Sequence, residues 1–163
     1  MNNITYRPAE QDELEGVVSL IETTFREFVA PEYTEEGINT FLDYLNMDQF
    51  IERNRNNHFT LVAHDGKKIV GTIHIRDYEH ISLLFVDKEY HQKGIARRLL
   101  EMAIDRCAKN NPDTQAITVN SSPYAVNAYE KLGFTRTGEA EIKNGIRFVP
   151  LKKILQARPA ARA

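Results

Sequence analysis

Between Phe85 and Leu100 the chain reads Phe-Val-Asp-Lys-Glu-Tyr-His-Gln-Lys-Gly-Ile-Ala-Arg-Arg-Leu-Leu, an apolar run that passes through a short polar loop into a helix-forming segment. Gly94 and Ala96 are the smallest residues of the stretch and stand where the helix would begin. Such a turn aims several backbone N–H groups at one spot, where the positive end of the helix dipole adds to them; this is chemistry for holding a phosphate. Lys88, Lys93, Arg97 and Arg98 outnumber Asp87 and Glu89 around the loop, which favours an anionic ligand further. An ordinary strand-to-helix turn would want the same small residues for close packing. Elsewhere the chemistry-bearing residues are sparse. Tyr129 and Cys107 both fall on apolar helix stripes, where packing is the first reading, and no His stands at a spacing that would make Cys107 a nucleophile. His58, His64 and His74 show no metal-ligand spacing, so no metal is expected.

The elements that must position this loop can be read from periodicity. Ile4 to Arg7 is a short strand ended by Pro8. Leu14, Val17, Val18, Ile21, Phe25 and Phe28 recur at helical spacing up to Pro31. A second helix starts near Thr34 with Ile38, Phe41, Leu42 and Leu45 on one face, breaks near Met47-Asp48, and resumes through Phe50 and Ile51. Phe59 to Ala63 and Ile69 to Ile75 are strand-like runs separated by Asp65-Gly66, a hairpin signal, and Ile81 to Val86 reads as a central strand covered on both faces. A helix carrying Ala96, Leu99, Leu100, Ala103 and Cys107 ends near Asn110-Asn111-Pro112 and leads to a strand from Ala116 to Val119. Ser122 and Pro123 suit the start of a further helix, which Gly133 closes. Phe134 to Ile142 and Arg147 to Ile154 form a last hairpin around Lys143-Asn144-Gly145, and residues 156–163 read as a frayed tail after one domain over residues 1–155.

Composition narrows the function classes. A chain of 163 residues with 42% hydrophobic content suits one domain and one core. Its apolar runs are far shorter than the roughly 20 residues of a membrane span, so no membrane partner is expected. The first residues lack the basic start and apolar stretch of a secretory signal, and the single Cys107 suits a reducing compartment; both predict a cytoplasmic protein. A net charge of −2 argues against nucleic acid as a partner. The charge is unevenly spread: residues 10–55 hold twelve Asp or Glu against Arg26, Arg53 and Arg55, so this segment carries −9 and the remainder +7.

Taken together, the loop and the later Tyr129-Glu130-Lys131-Leu132-Gly133-Phe134 resemble the GNAT superfamily of acyl-CoA-dependent N-acetyltransferases. That family's pyrophosphate loop reads Q/R-x-x-G-x-G/A. The matching residues here are His91, Gln92, Lys93, Gly94, Ile95 and Ala96, with His91 departing from the usual Gln or Arg. The order of strands and helices fits over roughly residues 4–154. The resemblance implies an α+β fold with a mixed, mostly antiparallel seven-stranded sheet, flanked by about four helices and splayed between strands 4 and 5. It implies acetyl-CoA as co-substrate, its pyrophosphate on residues 91–97 (Arg97 included) and its pantetheine arm paired to the backbone of Leu84 and Val86. Asn120 and Asn127 stand where family members often contact the cofactor, and Tyr129 matches the tyrosine that in many members protonates the departing thiolate. Some members place a carboxylate base near the start of the fourth strand; Glu79 is the first choice for that role, with His80 and His74 nearby.

The expected activity is therefore direct acetyl transfer to a primary amine, small-molecule or peptide, with a homodimer left open. A non-catalytic acyl-CoA-binding module would keep the loop without a working acid. A toxin acting on aminoacyl-tRNA would want a basic acceptor face, which residues 10–55 do not provide. A Rossmann-type nucleotide binder fits worst, given the antiparallel hairpin and the absent G-x-G-x-x-G. If carboxylates of residues 10–55 line the acceptor entrance, the amine is cationic; if they only solvate helix faces, it need not be.

Overall fold

The computed structural model describes residues 3–155. Strand β1 (Thr5–Pro8) leads to helix α1 (Leu14–Thr24), which continues as a π-helical turn over Phe25–Val29. Helix α2 (Glu35–Tyr44) starts at Thr34, whose hydroxyl accepts from Gly37 N–H. Helix α3 (Met47–Arg55) starts at Asn46, whose side chain accepts from Gln49 N–H. These side chains take up donors that a helix start leaves without partners, which is why the second helical stretch breaks where it does. Strands β2 (His58–His64), β3 (Ile69–Arg76) and β4 (His80–Val86) form an antiparallel meander. Helix α4 (Ile95–Asn110), strand β5 (Ala116–Ser121) and helix α5 (Val126–Lys131) follow. The chain closes with β6 (Thr135–Arg136), β7 (Glu141–Lys143) and β8 (Ile146–Ile154). The first arm of the expected last hairpin is thus two short strands. Both pair with β8, and the stretch between them leaves the ladder, which makes eight strands in place of seven.

The sheet runs β1-β2-β3-β4-β5-β8-β6, and β4–β5 is its parallel step. Two apolar clusters cover its faces. One, beneath α4, gathers Ile73, Ile75, Leu99, Ala103, Cys107, Ile117 and Leu151; the other, beneath α1 to α3, gathers Leu14, Val17, Ile21, Phe50, Val62 and Leu83. Gly71 lets α4 approach β3 closely, since a Cβ there would lie 2.8 Å from Ile95 Cγ2. The turn between β7 and β8 docks on α2. Thr40 Oγ1 donates to Asn144 C=O at 2.9 Å, and a Cβ on Gly37 would overlap the Gly145 carbonyl.

His74, in the middle of β3, is fully buried between Phe50 and His58, with Nδ1 bonded to Thr60 Oγ1 at 2.7 Å. Burial first, then the charges of His58 and Arg53, push its pKa down to about 3. The unfolded chain protonates this imidazole below about pH 6.5, whereas the folded protein does not. From about pH 6.5 down toward pH 3 the unfolded state therefore binds more protons, and stability that is complete above that window is lost as pH falls. Denaturant titrations should show a loss of about 1–2 kcal/mol between about pH 6.5 and 5 that His74→Gln makes shallower. Equal slopes for the two proteins would remove His74 as the cause.

Candidate active site

The cleft originates in a strand that loses its neighbour. β4 and β5 pair only at His80–Thr118 and Ile81–Val119. His80 Nδ1 bonds Thr118 Oγ1 at 2.7 Å, and Thr118 N–H donates to Glu79 C=O at 2.9 Å, which holds the apex closed. One residue later, Ser82 is a β-bulge: Ile81 faces Ile75 and Leu83 faces His74, leaving Ser82 without a partner on β3. A bulge bends its strand and increases local twist, and beyond it β4 and β5 diverge. Leu84, Phe85 and Val86 are accordingly only half-buried, where the sequence pointed to a strand covered on both faces.

The backbone of this half of β4 faces the gap. Asp87 N–H donates to Val70 C=O on β3; by antiparallel alternation Phe85 also turns its backbone to β3, while Leu84 and Val86 turn theirs away. The Val86 carbonyl is met from the loop by His91 Nε2 at 2.8 Å. His91 thus ties the loop to the strand it leaves, a role that its unusual place in the motif did not disclose.

The loop is held firmly. Tyr90 O–H donates to Asp65 at 2.6 Å, and the same carboxylate accepts from Lys67 and Lys68 N–H at 2.8 Å each. The Tyr90 bond first, then the two backbone donors, hold the Asp65 pKa well below the usual carboxylate range. Gln92 and Gly94 adopt left-handed backbone at φ 61° and 80°, which curls the loop. The first backbone bond of α4 runs from Arg98 N–H to Gly94 C=O, so the N–H groups of Ile95, Ala96 and Arg97 are those a helix start leaves free. Together they form an anion-binding concavity.

A cavity of about 530 Å³ joins this loop to the cleft. Ser82 to Val86 form its floor. One wall is the loop with α5 and the end of β5, including Gln92, Gly94 to Arg97, Asn120, Ala128, Tyr129 and Lys131; the opposite wall is Thr24, Phe25, Phe28, Val29, Tyr33 and Phe41. Tyr129 is 7% exposed, its ring edge packed on Phe134, and burial raises its pKa well above that of a free phenol. It is therefore a packed residue of the cavity wall whose hydroxyl stays protonated.

Of the other residues singled out from the sequence, Leu84, Val86, His91, Gln92, Gly94, Ile95, Ala96, Arg97 and Asn120 line the cavity, whereas Lys93 and Asn127 are exposed outside it. Glu79 is not placed to act on the cavity. It is exposed at the β3–β4 turn, beyond the closed apex, and the cleft opens toward the other end of β4. No Asp or Glu is among the lining residues, so no carboxylate of residues 10–55 lines this cavity. Glu27, beside Phe28, pairs outward with Lys88 at 3.2 Å, and Glu22 pairs with Arg26 at 3.7 Å. Cys107 is buried and its thiol is pushed up to about 12 by burial, which leaves it inert. Among the described residues no group of three or more His, Cys, Asp or Glu could hold a metal ion, and no helix is long and apolar enough to cross a membrane.

Sequence reasoning missed the aromatic wall and the bulge. Phe25 and Phe41 stack at 4.0 Å, Tyr33 packs edge-on against Phe25, and Phe28 stacks on Tyr124 across the cleft at 5.4 Å. The π-turn makes room for Phe25, Phe28 and Val29 to face the cavity together, a placement that helical periodicity assigns to core. Ser82 was signalled only by being polar within an otherwise apolar strand. Its Oγ is buried and has no hydrogen-bond partner among the described residues. Ser82→Ala therefore removes no bond, and its unfolding free energy should equal or exceed the parent's by up to about 1 kcal/mol. A loss of 1 kcal/mol or more on chemical denaturation, again about one hydrogen bond's worth, would mean the hydroxyl is satisfied.

A family model described as an acetyltransferase (GNAT) domain matches residues 29–155. The S-(2-succino)cysteine N-acetyltransferase of Bacillus subtilis is 27% identical, covering 93% of this chain and 96% of its own. Among solved structures, a GCN5-related N-acetyltransferase from Rhodopseudomonas palustris superposes with a TM-score of 0.79 at 18% identity, over 95% of this chain and 98% of that one. The PaiA N-acetyltransferase of Thermoplasma acidophilum, solved in complex with coenzyme A, gives 0.75 at 19% identity, over 94% and 99%.

Proposed function

The chain belongs to the GNAT acetyltransferases, and from that premise we propose that it transfers an acetyl group from acetyl-coenzyme A to a primary amine by direct attack. The observation that supports this reading best is one continuous cavity lined by the curled loop, the half of β4 that has lost its neighbour, and Tyr129. These residues fit coenzyme A. The Gln92–Arg97 loop would hold its pyrophosphate, with Arg97 and Lys131 adding positive charge, and Leu84 would offer backbone partners to its pantetheine arm.

Acetyl-coenzyme A supplies an activated thioester. The amine nitrogen forms a bond to the carbonyl carbon, the tetrahedral intermediate collapses with loss of the C–S bond, and the thiolate takes a proton. Tyr129 is suited to give that proton because burial keeps its phenol protonated at neutral pH. The nitrogen's surplus proton has no carboxylate on the cavity wall to receive it. It leaves through water, which returns a proton to the Tyr129 phenolate, and an amine desolvated in an apolar cleft sheds it more readily than in bulk solvent.

Gly94→Val forces a β-branched residue into a left-handed conformation at φ 80°, in the middle of the loop. Acetyl-coenzyme A should stabilise the parent against heat and stabilise this variant much less; coincident melts of the parent with and without millimolar acetyl-coenzyme A would overturn the central reading. Tyr129→Phe keeps the ring against Phe134 and removes the donor. We expect kcat to fall by roughly 10- to 1,000-fold, with acetyl-coenzyme A binding retained. Unchanged turnover where chemistry limits the rate would leave Tyr129 with a packing role only.

A further inference from the structure

The two walls of the cleft differ in kind. The cations that line the cavity, Arg97 and Lys131, stand at the start of α4 and the end of α5; the wall facing them offers Thr24, Val29 and four aromatic rings, with no charge of either sign. Aromatic faces can hold a cation, but only when they are open to it. Here Phe25 lies against Phe41 at 4.0 Å with an interplanar angle of 16°, and Phe28 against Tyr124 at 18°, so faces that could form a cage are turned on one another. A polyamine would leave its additional ammonium groups desolvated without partners, and a dicarboxylate would meet no cation on this side. Ser82 belongs to the floor of the cavity, and its buried Oγ has no hydrogen-bond partner among the described residues. An uncharged, largely aromatic wall facing the β4 floor matches a molecule with one polar head and an apolar body.

We propose that the acceptor is a primary amine borne on an aromatic or bulky apolar body with no other charge, a proposal that rests on the transferase reading above. The body packs against Phe28, Tyr33 and Phe41, and the amine reaches toward the β4 floor near Ser82. The wide charge separation of the sequence then acts outside the cleft and does not select the acceptor.

The test begins with acetyl-coenzyme A binding by calorimetry, followed by acetylation of 2-phenylethylamine, spermidine and glutamate, each read as free thiol released. We expect kcat/KM for 2-phenylethylamine to exceed the other two by about tenfold or more, a discrimination within reach of a hydrophobic pocket. Phe28→Glu, at a half-buried position that tolerates a polar side chain, should shift the ratio of the 2-phenylethylamine to the spermidine value toward spermidine by about tenfold. Absence of acetyl-coenzyme A binding overturns the transferase reading itself. Binding together with preference for spermidine or glutamate, or with acetylation of none of the three, overturns the acceptor proposal alone.

Discussion

A strand in the interior of a sheet that loses one neighbour halfway along leaves its backbone N–H and C=O groups facing an apolar gap. Each such group left unpaired away from water costs about 1–3 kcal/mol, so the arrangement persists only if partners are found. β4 stands in this position beyond Ile81. Much of the remaining architecture can be understood as a response. The His80–Thr118 bond fixes where the gap begins, the Ser82 bulge bends the strand away, and His91 returns from the loop to meet the Val86 carbonyl. Leu84 keeps its backbone turned to the gap, with an N–H and a C=O that no neighbouring strand pairs.

The electrostatics follow the same division. Fixed positive potential comes from the α4 start and the cations around it, while the acidic residues of the N-terminal helices turn to solvent or pair with surface cations, as Glu27 does with Lys88. A low-dielectric cavity without carboxylates raises the cost of a charged amine and keeps the Tyr129 proton in place. Both effects arise from burial and neither requires a dedicated ion pair.

The fold was legible wherever a local rule controls the backbone. Thr34 and Asn46 announce helix starts through their side-chain oxygens, and Gly66, Gly133 and Gly145 mark turns by needing positive φ. The loop from His91 to Ala96 was legible as a tight entry into α4, because Gly94 takes up the left-handed backbone that curls it. Tyr129 was read correctly as sitting on an apolar stripe, yet its exposure to a cavity depends on how far β4 and β5 part, which no window of sequence contains. The same reason hid Phe25, Phe28 and Phe41: at helical spacing, an aromatic that faces a cleft and one that faces the core look alike. Glu79 was misplaced because proximity to β4 in sequence does not say which end of the strand opens. The dissolution of one expected strand into β6 and β7 reflects a boundary, the feature that periodicity defines least well.

The contact between the β7–β8 turn and α2 bears on the order in which the molecule can be assembled. Thr34 and Thr40 hydrogen-bond to Gly145 and Asn144, partners 111 and 104 residues further along the chain. As the polypeptide leaves the ribosome, the helices bearing Phe25 and Phe41 emerge long before the hairpin against which α2 rests. The loop that enters α4, in contrast, is complete once β2 to α4 have emerged, since Asp65, Tyr90 and His91 find their partners within that stretch. A nascent chain therefore has every partner of the curled loop before α2 has the hairpin on which it rests.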